Sequence, residues 1–393
     1  MNSKNKIIYS WAIYDWANSA FATTVMAGFF PLFFKAYWAN PNNPAESTFY
    51  LGIGNSIASI IIAAMAPFLG AIADKGSFKK KFLILFAFLG IIMTGALSIV
   101  QQGFWQMAIM FYILATIGFS SANTFYDSFL PHLDSNDRLD WISSLGYGLG
   151  YIGGGILFLV NVIMFLKPTM FGLANEAMAI KVSFFSVAVW WAFFSIPIYL
   201  FVPEPKLNNE ISFFKSVKLG WRQIKETFYE IKKFKYVMLF LLSYWFYIDG
   251  VDTIVKMSVD YGLSIGFEKE SLITALLIVQ FVAFPATLLY CKFGSMIGTK
   301  RAIYVAIIGY GIITVFGYFM NSQWHFYTLA IFIGFFQGGI QALSRSLYSK
   351  IIPKDKTAEF FGFYNMLGKF AAVIGPALMG FITFYTADPR KGI

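Results

Sequence analysis

The fold expected from this sequence is an all-α polytopic membrane protein, and three observations carry that expectation. About eleven long apolar stretches follow one another, most of them reaching the roughly 20 residues a helix needs to cross a hydrocarbon core. Short polar loops separate them, and the lysines and arginines gather almost entirely on alternate loops. The composition is 58% hydrophobic, 20% aromatic and 13% charged, which leaves too little polar surface for a soluble globule of 393 residues.

Taken in order, the first span covers about 8–38 and follows Lys4 and Lys6. It carries Asp15, is too long for a signal peptide and lacks a small-residue cleavage site, so it stays in the chain. The second span, about 48–73, runs into a loop holding Lys75 and Lys79 to Lys81. Spans three, four and five cover about 82–101, 104–130 and 141–166, with Arg138 in the loop before the fifth. The sixth, about 181–202, leads into a lysine-rich loop at 203–235. Five more spans follow at about 236–258, 270–292, 301–320, 325–350 and 360–386. Lys292, Lys300, Arg301, Lys350, Lys354 and Lys356 lie in their loops on the same side as the earlier lysines.

The opposite loops at 39–49, 101–104 and 321–325 hold neither Lys nor Arg. Cytoplasmic loops hold the excess of both, so the amino terminus and the 203–235 loop are expected in the cytoplasm. A multi-pass protein of the cell's cytoplasmic membrane follows, with the bilayer and a small-molecule substrate as partners and a monomer as the expected form. The net charge of +10 is the sum of these loops facing anionic lipid heads, and nucleic-acid binding is not expected. A single cysteine, Cys291, excludes an internal disulfide and a cysteine-rich metal site.

The chain also repeats itself. Pro131, Gly146 and Gly153 recur as Pro353, Gly368 and Gly375 at one offset of 222 residues, laying span four on span ten and span five on span eleven. Residues 1–202 form a six-helix bundle, 203–235 a linker, and 236–393 a second bundle with five spans present. Two such halves related by an axis along the membrane normal are the plan of the major facilitator fold. After span eleven the chain reads TADPRKGI where a twelfth span would begin. Either the sequence is truncated or the protein has eleven spans with its carboxyl terminus outside; truncation is the favoured expectation, because an unpaired half leaves the packing surface of span eleven to lipid.

The runs SWAIYDWANSAFATTV (10–25), FYDSFLP (125–131), ISSLGYGLGYIGGG (142–155), WWAFFSIPIYLFVPEP (190–205), GTKRAI (298–303), GGIQALSRSLYSKIIP (338–353) and AEFFGFYNMLGKFAAVIGP (358–376) closely resemble the vacuole-effluxer-like, or unknown major facilitator, family. The resemblance covers nearly the whole chain and implies a twelve-helix major facilitator transporter. It also implies kinship with fungal proteins associated with releasing amino acids from the vacuole. The seventh span departs from the family: FYIDGVDTI (246–254) has Ile248 and Asp252 where amides are expected.

Ionisable groups within spans cost about 2.5–3.5 kcal/mol each at mid-bilayer, so they face cavities and partners. Here they are Asp15, Asp127, Asp249, Asp252, Lys256, Arg345 and Lys369. Asp15 and Asn18, followed by Ser19, share a helix face, and Asp249 and Asp252, followed by Thr253, repeat the pattern at the start of the second half. Facing each other across a central cavity, the two motifs would hold a coupling ion, H⁺ on a desolvated carboxylate or Na⁺ among oxygens. Interhelical bridging is the plainer alternative, with Lys256 neutralising Asp252 one turn away. No other cofactor is expected.

Gln337, Gln341 and Arg345 form one polar stripe on span ten. About 30 Å along from His325 at 1.5 Å per residue, Arg345 nears the cytoplasmic face, where it gates or anchors. The glutamines sit deeper and are ligand candidates, or else make interhelical amide bonds. Lys369, whose repeat counterpart is Tyr147, is either a cavity cation or a carboxylate partner. The loop GAIADKGSFKKK (70–81) resembles the facilitator signature after the second helix, which makes Asp74 and Lys75 conformational machinery, with Asp127 grouped beside them.

Gly148, Gly150 and Gly153 match the dinucleotide fingerprint G-x-G-x-x-G, but inside a span they serve close helix packing. An intramembrane aspartyl protease would need G-x-G-D where Tyr247-Ile248-Asp249-Gly250 stands. H-E-x-x-H is absent and His132 and His325 lie near span ends, so catalytic and metal sites are not expected. A sensor or scaffold would need a soluble output domain, and the 203–235 loop is short and amphipathic, suited to the membrane surface.

Overall fold

The computed structural model describes residues 3–40, 44–205, 212–229, 231–386 and 388–391. Residues 206–211 of the linker and 392–393 of the carboxyl terminus lie outside the described residues, as does the side chain of Lys256. Twelve long helices and no strand are found among the described residues. The first half comprises α1 (Ser3–Trp38), α2 (Pro44–Gly76), α3 (Lys79–Ala96), α4 (Trp105–Leu133), α5 (Leu139–Leu166) and α6 (Glu176–Phe201). Next come α7 (Phe213–Tyr229) in the linker, then α8 (Lys235–Ser264), α9 (Lys269–Ile297), α10 (Thr299–Tyr318), α11 (Gln323–Ile351) and α12 (Thr357–Thr386).

Ten of these helices are long and apolar enough to span a membrane, and α12, the expected eleventh span, packs along α2. The protein is therefore a multi-pass, all-α membrane protein. Its helices tolerate interior prolines, Pro67, Pro131, Pro197 and Pro285, because neighbouring helices and local adjustments satisfy the freed carbonyls. Around Pro31 the turns of α1 widen to π-helical geometry at Phe21–Phe29 and Phe34–Trp38.

Two apolar cores account for the two halves. One gathers buried residues between Ile8 and Val202 together with Ala358, and the other gathers Val237 to Met379. Small residues set how closely the halves meet. A Cβ at Gly70 of α2 would stand 2.2 Å from the carbonyl oxygen of Ala358, and one at Gly362 of α12 would stand 2.5 Å from that of Ala66. Backbone thus lies on backbone where α2 crosses α12. The fingerprint glycines of α5 do the same within the first half: a Cβ at Gly150 or Gly153 would come within 2.6 Å of Ser19 or Trp16 of α1.

Candidate functional site at the seam between the halves

Arg345 of α11 is 2% exposed although it is a cation in a membrane helix. It stands six residues before the end of α11, about 9 Å along at 1.5 Å per residue, and Asp127 stands equally far from the end of α4. Its Nη1 donates to Asp127 Oδ1 at 3.0 Å and to Asp15 Oδ2 at 3.3 Å, and its Nη2 donates to the same Asp15 oxygen at 3.2 Å. The remaining donors reach α5, with Nε to Ser143 Oγ at 3.0 Å and Nη2 to the Ser143 carbonyl at 2.9 Å.

Aromatic rings enclose the guanidinium. Its carbon lies 4.1 Å from the Tyr147 ring centre, 5.0 Å from Trp11 and 5.5 Å from Tyr126, within the range where a ring face attracts a cation. Tyr126 also donates its hydroxyl to Asp15 Oδ2 at 2.8 Å. Gly146 makes the cluster possible, since a Cβ there would meet Asp15 Oδ2 at 2.6 Å and Arg345 Nη2 at 3.0 Å. One cation from the second half is thus clamped by two carboxylates of the first.

Two further polar links cross the seam on the same side, where the basic loops lie. Asp74, at the end of α2, accepts the backbone amides of Ala358 and Glu359 at 3.1 and 2.8 Å. These are orphan donors at the start of α12, where a carboxylate also meets the positive end of the helix dipole. Lys79 pairs with Asp74 at 3.0 Å and donates to Thr357 at 2.6 Å, with His132 Nε2 at 3.5 Å. Lys75 makes no salt bridge among the described residues, so the cation of this latch is Lys79.

Glu204 locks the start of α3 beside it by accepting the Lys79 and Lys80 amides at 3.0 and 2.6 Å. Burial pushes the Glu204 carboxyl above its ordinary value, and those two amides offset part of the rise. The third link joins Asp140 of α5 to Lys350 at 2.8 Å, Thr299 at 2.8 Å and Ser346 at 2.5 Å.

Farther from the basic face, the glutamine stripe meets the first half. Tyr151 of α5 donates to Gln341 Oε1 at 2.6 Å, while the buried Gln337 Oε1 has no hydrogen-bond partner. Tyr247 and Ser344 share a hydrogen bond of 2.6 Å beside them. The polar contacts named here between the halves lie between this level and the basic face. The seam is sealed on that side.

Asp15 and Asp249, the leading acids of the two motifs, do not meet each other. Asp15 lies against Gly146 and Gly150 of α5 with its carboxylate at the seam, whereas Asp249 accepts the Gly375 amide at 3.0 Å within the second half. Asp249 and Thr253 line a separate cleft of about 200 Å³ within the second half, with Tyr261, Thr314 and Leu329. Asn18 turns to α4, where its Nδ2 donates to Asn123 Oδ1 at 2.5 Å. Asp252 and Lys369 are half-buried on α8 and α12, each with an interaction partner.

Sequence reasoning left out Tyr126, Ser143, Asp140, Lys79 and Glu359. Tyr126 and Ser143 lie within the runs that resemble the family, and Lys79 reads as one more anchoring lysine. Nothing in their spacing marks a contact more than 100 residues away.

These features agree with comparisons to known proteins. The sequence model described as "Vacuole effluxer Atg22 like" matches residues 42–140 and 136–393. The MFS-type transporter YxiO of Bacillus subtilis, described as uncharacterized, is 40% identical over 379 residues, which cover 94% of this chain and 86% of that protein. Autophagy-related protein 22 of Pichia angusta is 26% identical over 92% of this chain and 73% of its own length. In fold, the chain is similar to the human organic anion transporter MFSD10 (TM-score 0.74, 11% identity, 100% of this chain and 96% of that one). It is also similar to the proton:xylose symporter XylE (TM-score 0.69, 14% identity, 99% and 90%). With its helices, repeat and matched motifs in agreement, the chain belongs to the vacuole effluxer Atg22-like family and has the major facilitator transporter fold.

Proposed function

We propose that this protein is a secondary active transporter that moves a small polar metabolite, amino acids foremost, by alternating access across the cytoplasmic membrane. The basic face and the amino terminus lie in the cytoplasm, as the distribution of Lys and Arg requires. The observation that carries the reading is Arg345 of the second half held between Asp15 and Asp127 of the first. Parting the halves on the basic face breaks both pairs, so the cluster serves as a gate on the state of the seam.

The cluster also supports a proton as the coupling ion. Two carboxylates face one guanidinium, and a proton bound there balances the remaining charge inside the membrane. The guanidinium already occupies the position between the carboxylates, which disfavours Na⁺ at that place. For the substrate, Gln337, Gln341, Tyr151 and Ser344 offer uncharged donors and acceptors at the seam, while Asp252 and Lys369 supply an anion and a cation in the second half. That set suits a zwitterion.

The test is uptake of labelled amino acids into proteoliposomes under an imposed pH gradient. Transport that follows the gradient in the parent and is lost in Asp15→Asn, with the fold retained, supports the reading. Amino acid flux that ignores both the gradient and the substitution overturns it.

A further inference from the structure

The linker helix α7 carries three stripes, which a rotation of 100° per residue separates cleanly. Ser216, Gly220, Gln223 and Thr227 share the first and are buried. Val217, Trp221, Ile224 and Phe214 make an apolar second stripe, in which Trp221 is 55% and Phe214 86% exposed. Lys215, Lys218, Arg222 and Lys225 make a basic third stripe, and all four are exposed.

The buried stripe is seated on both halves of the protein. A Cβ at Gly220 would stand 3.0 Å from Ile72 of α2, and Ser216 lies against Gly76 at the end of that helix. On the other side Gln223 donates to the Glu359 carboxylate of α12, and Lys356 donates to Thr227 at 3.4 Å. Glu359 is the residue whose amide Asp74 accepts. The helix therefore straps the seam directly beneath the latch.

The apolar stripe continues a membrane-facing surface. On α2, Ile53, Ile57, Ile60 and Ala64 form one exposed row, which leads at the next turn to Phe68. The Phe68 ring packs edge-on to Trp221 at 5.9 Å. An indole at the end of a lipid-facing row is where membrane proteins place tryptophan, at the level of the headgroups. The basic stripe next to it, with Lys225 lying 5.5 Å over the Trp221 ring, has charge complementary to an anionic leaflet. Glu226, paired with Arg222 at 2.7 Å, is the acidic residue at its margin.

We propose that α7 is a lipid-responsive strap: its basic stripe binds anionic phospholipid headgroups, and its buried stripe, seated across α2 and α12, makes that binding favour the closed seam on the basic face. The response goes beyond the transport reading and does not depend on the substrate.

The test uses the full chain in nanodiscs of phosphatidylcholine alone or with 30% phosphatidylglycerol. Spin labels at Ser135→Cys and Asp355→Cys, with Cys291→Ser, report the distance between the halves across the seam. The parent is expected to hold several-fold more of the short distance in the anionic discs, an excess that high salt removes. The variant Lys215→Gln/Lys218→Gln/Arg222→Gln/Lys225→Gln alters exposed residues only and should give the same distribution in both lipids. Gln223→Leu should still lose fluorescence at Trp221 to brominated phosphatidylglycerol, judged against Trp221→Phe, while its seam no longer responds. A parent indifferent to lipid charge, or a quadruple variant that responds like the parent, overturns the proposal. So does an equal shift caused by a soluble acidic peptide in phosphatidylcholine discs, which would point to a protein partner.

Discussion

Removing Arg345 should destabilise the protein strongly, and removing its two acidic partners as well should restore it. Arg345 lies 3.2 Å from Asp15 and 3.0 Å from Asp127. With an effective dielectric of about 20, each pair attracts by about 5 kcal/mol before the cost of desolvation is counted. Arg345→Met deletes both attractions and leaves two buried carboxylates facing each other, for which about 3–5 kcal/mol of lost stability is expected. In the background of Asp15→Asn and Asp127→Asn the same substitution removes a charge that has no partner, so about half or more of that loss should return. The triple variant should therefore be more stable than Arg345→Met. Unfolding in detergent micelles, followed by intrinsic fluorescence for all combinations, gives the coupling energy directly. Equal instability of the triple variant and Arg345→Met would refute the cluster as an electrostatic unit and leave Arg345 as a packing residue.

Three other outcomes follow from the same geometry. Gly70→Ala and Gly362→Ala each put a methyl group against backbone, so both should open the basic face; an unchanged distance between labels at Ser135 and Asp355 would contradict this. Arg345→Lys keeps the charge but loses the planar fork, so turnover and the balance of conformations should change while equilibrium affinity for substrate holds. A calorimetric loss of about tenfold or more in affinity for anionic ligands, about 1.4 kcal/mol, would instead make Arg345 a substrate clamp. For topology, Lys218→Cys in a Cys291→Ser background is the informative site because Lys218 is exposed on the basic stripe, whereas Ser216 nearby is buried; an impermeant thiol reagent should label it from the cytoplasmic side only.

The spans were legible because each is a local signal of length and hydropathy, and the repeat was legible because Gly146 and Gly153 recur at a fixed offset. The cluster was not. Asp15, Asp127 and Arg345 each stood out as a charge within a span, but which of them meet depends on how helices from two halves cross. Asp15 and Asp249 look equivalent in sequence, yet the Asp15 carboxylate reaches Gly146 and Arg345 at the seam while that of Asp249 turns to Gly375 within the second half. Asp74 was recognised from its motif, while its pairing with Lys79 depends on the bend between α2 and α3, which no periodicity encodes. Gln223 and Glu359 were invisible for a simpler reason: a buried polar residue on an amphipathic helix looks like any solvated one until its neighbour is known.

The division of charge within the Arg345 cluster bears on how the protein is made. Both carboxylates belong to the first half, and their cation follows 218 residues after Asp127 and 330 after Asp15. A chain emerging from its amino terminus inserts the six helices of the first half and three of the second before Arg345 exists. Until α11 arrives, Asp15 and Asp127 must stay protonated or hydrated, and Arg345 in turn enters the bilayer with no intrahalf partner among the described residues. Docking of the halves is then the step that removes the strain of insertion, and a first half produced without the second should be a substrate for membrane quality control.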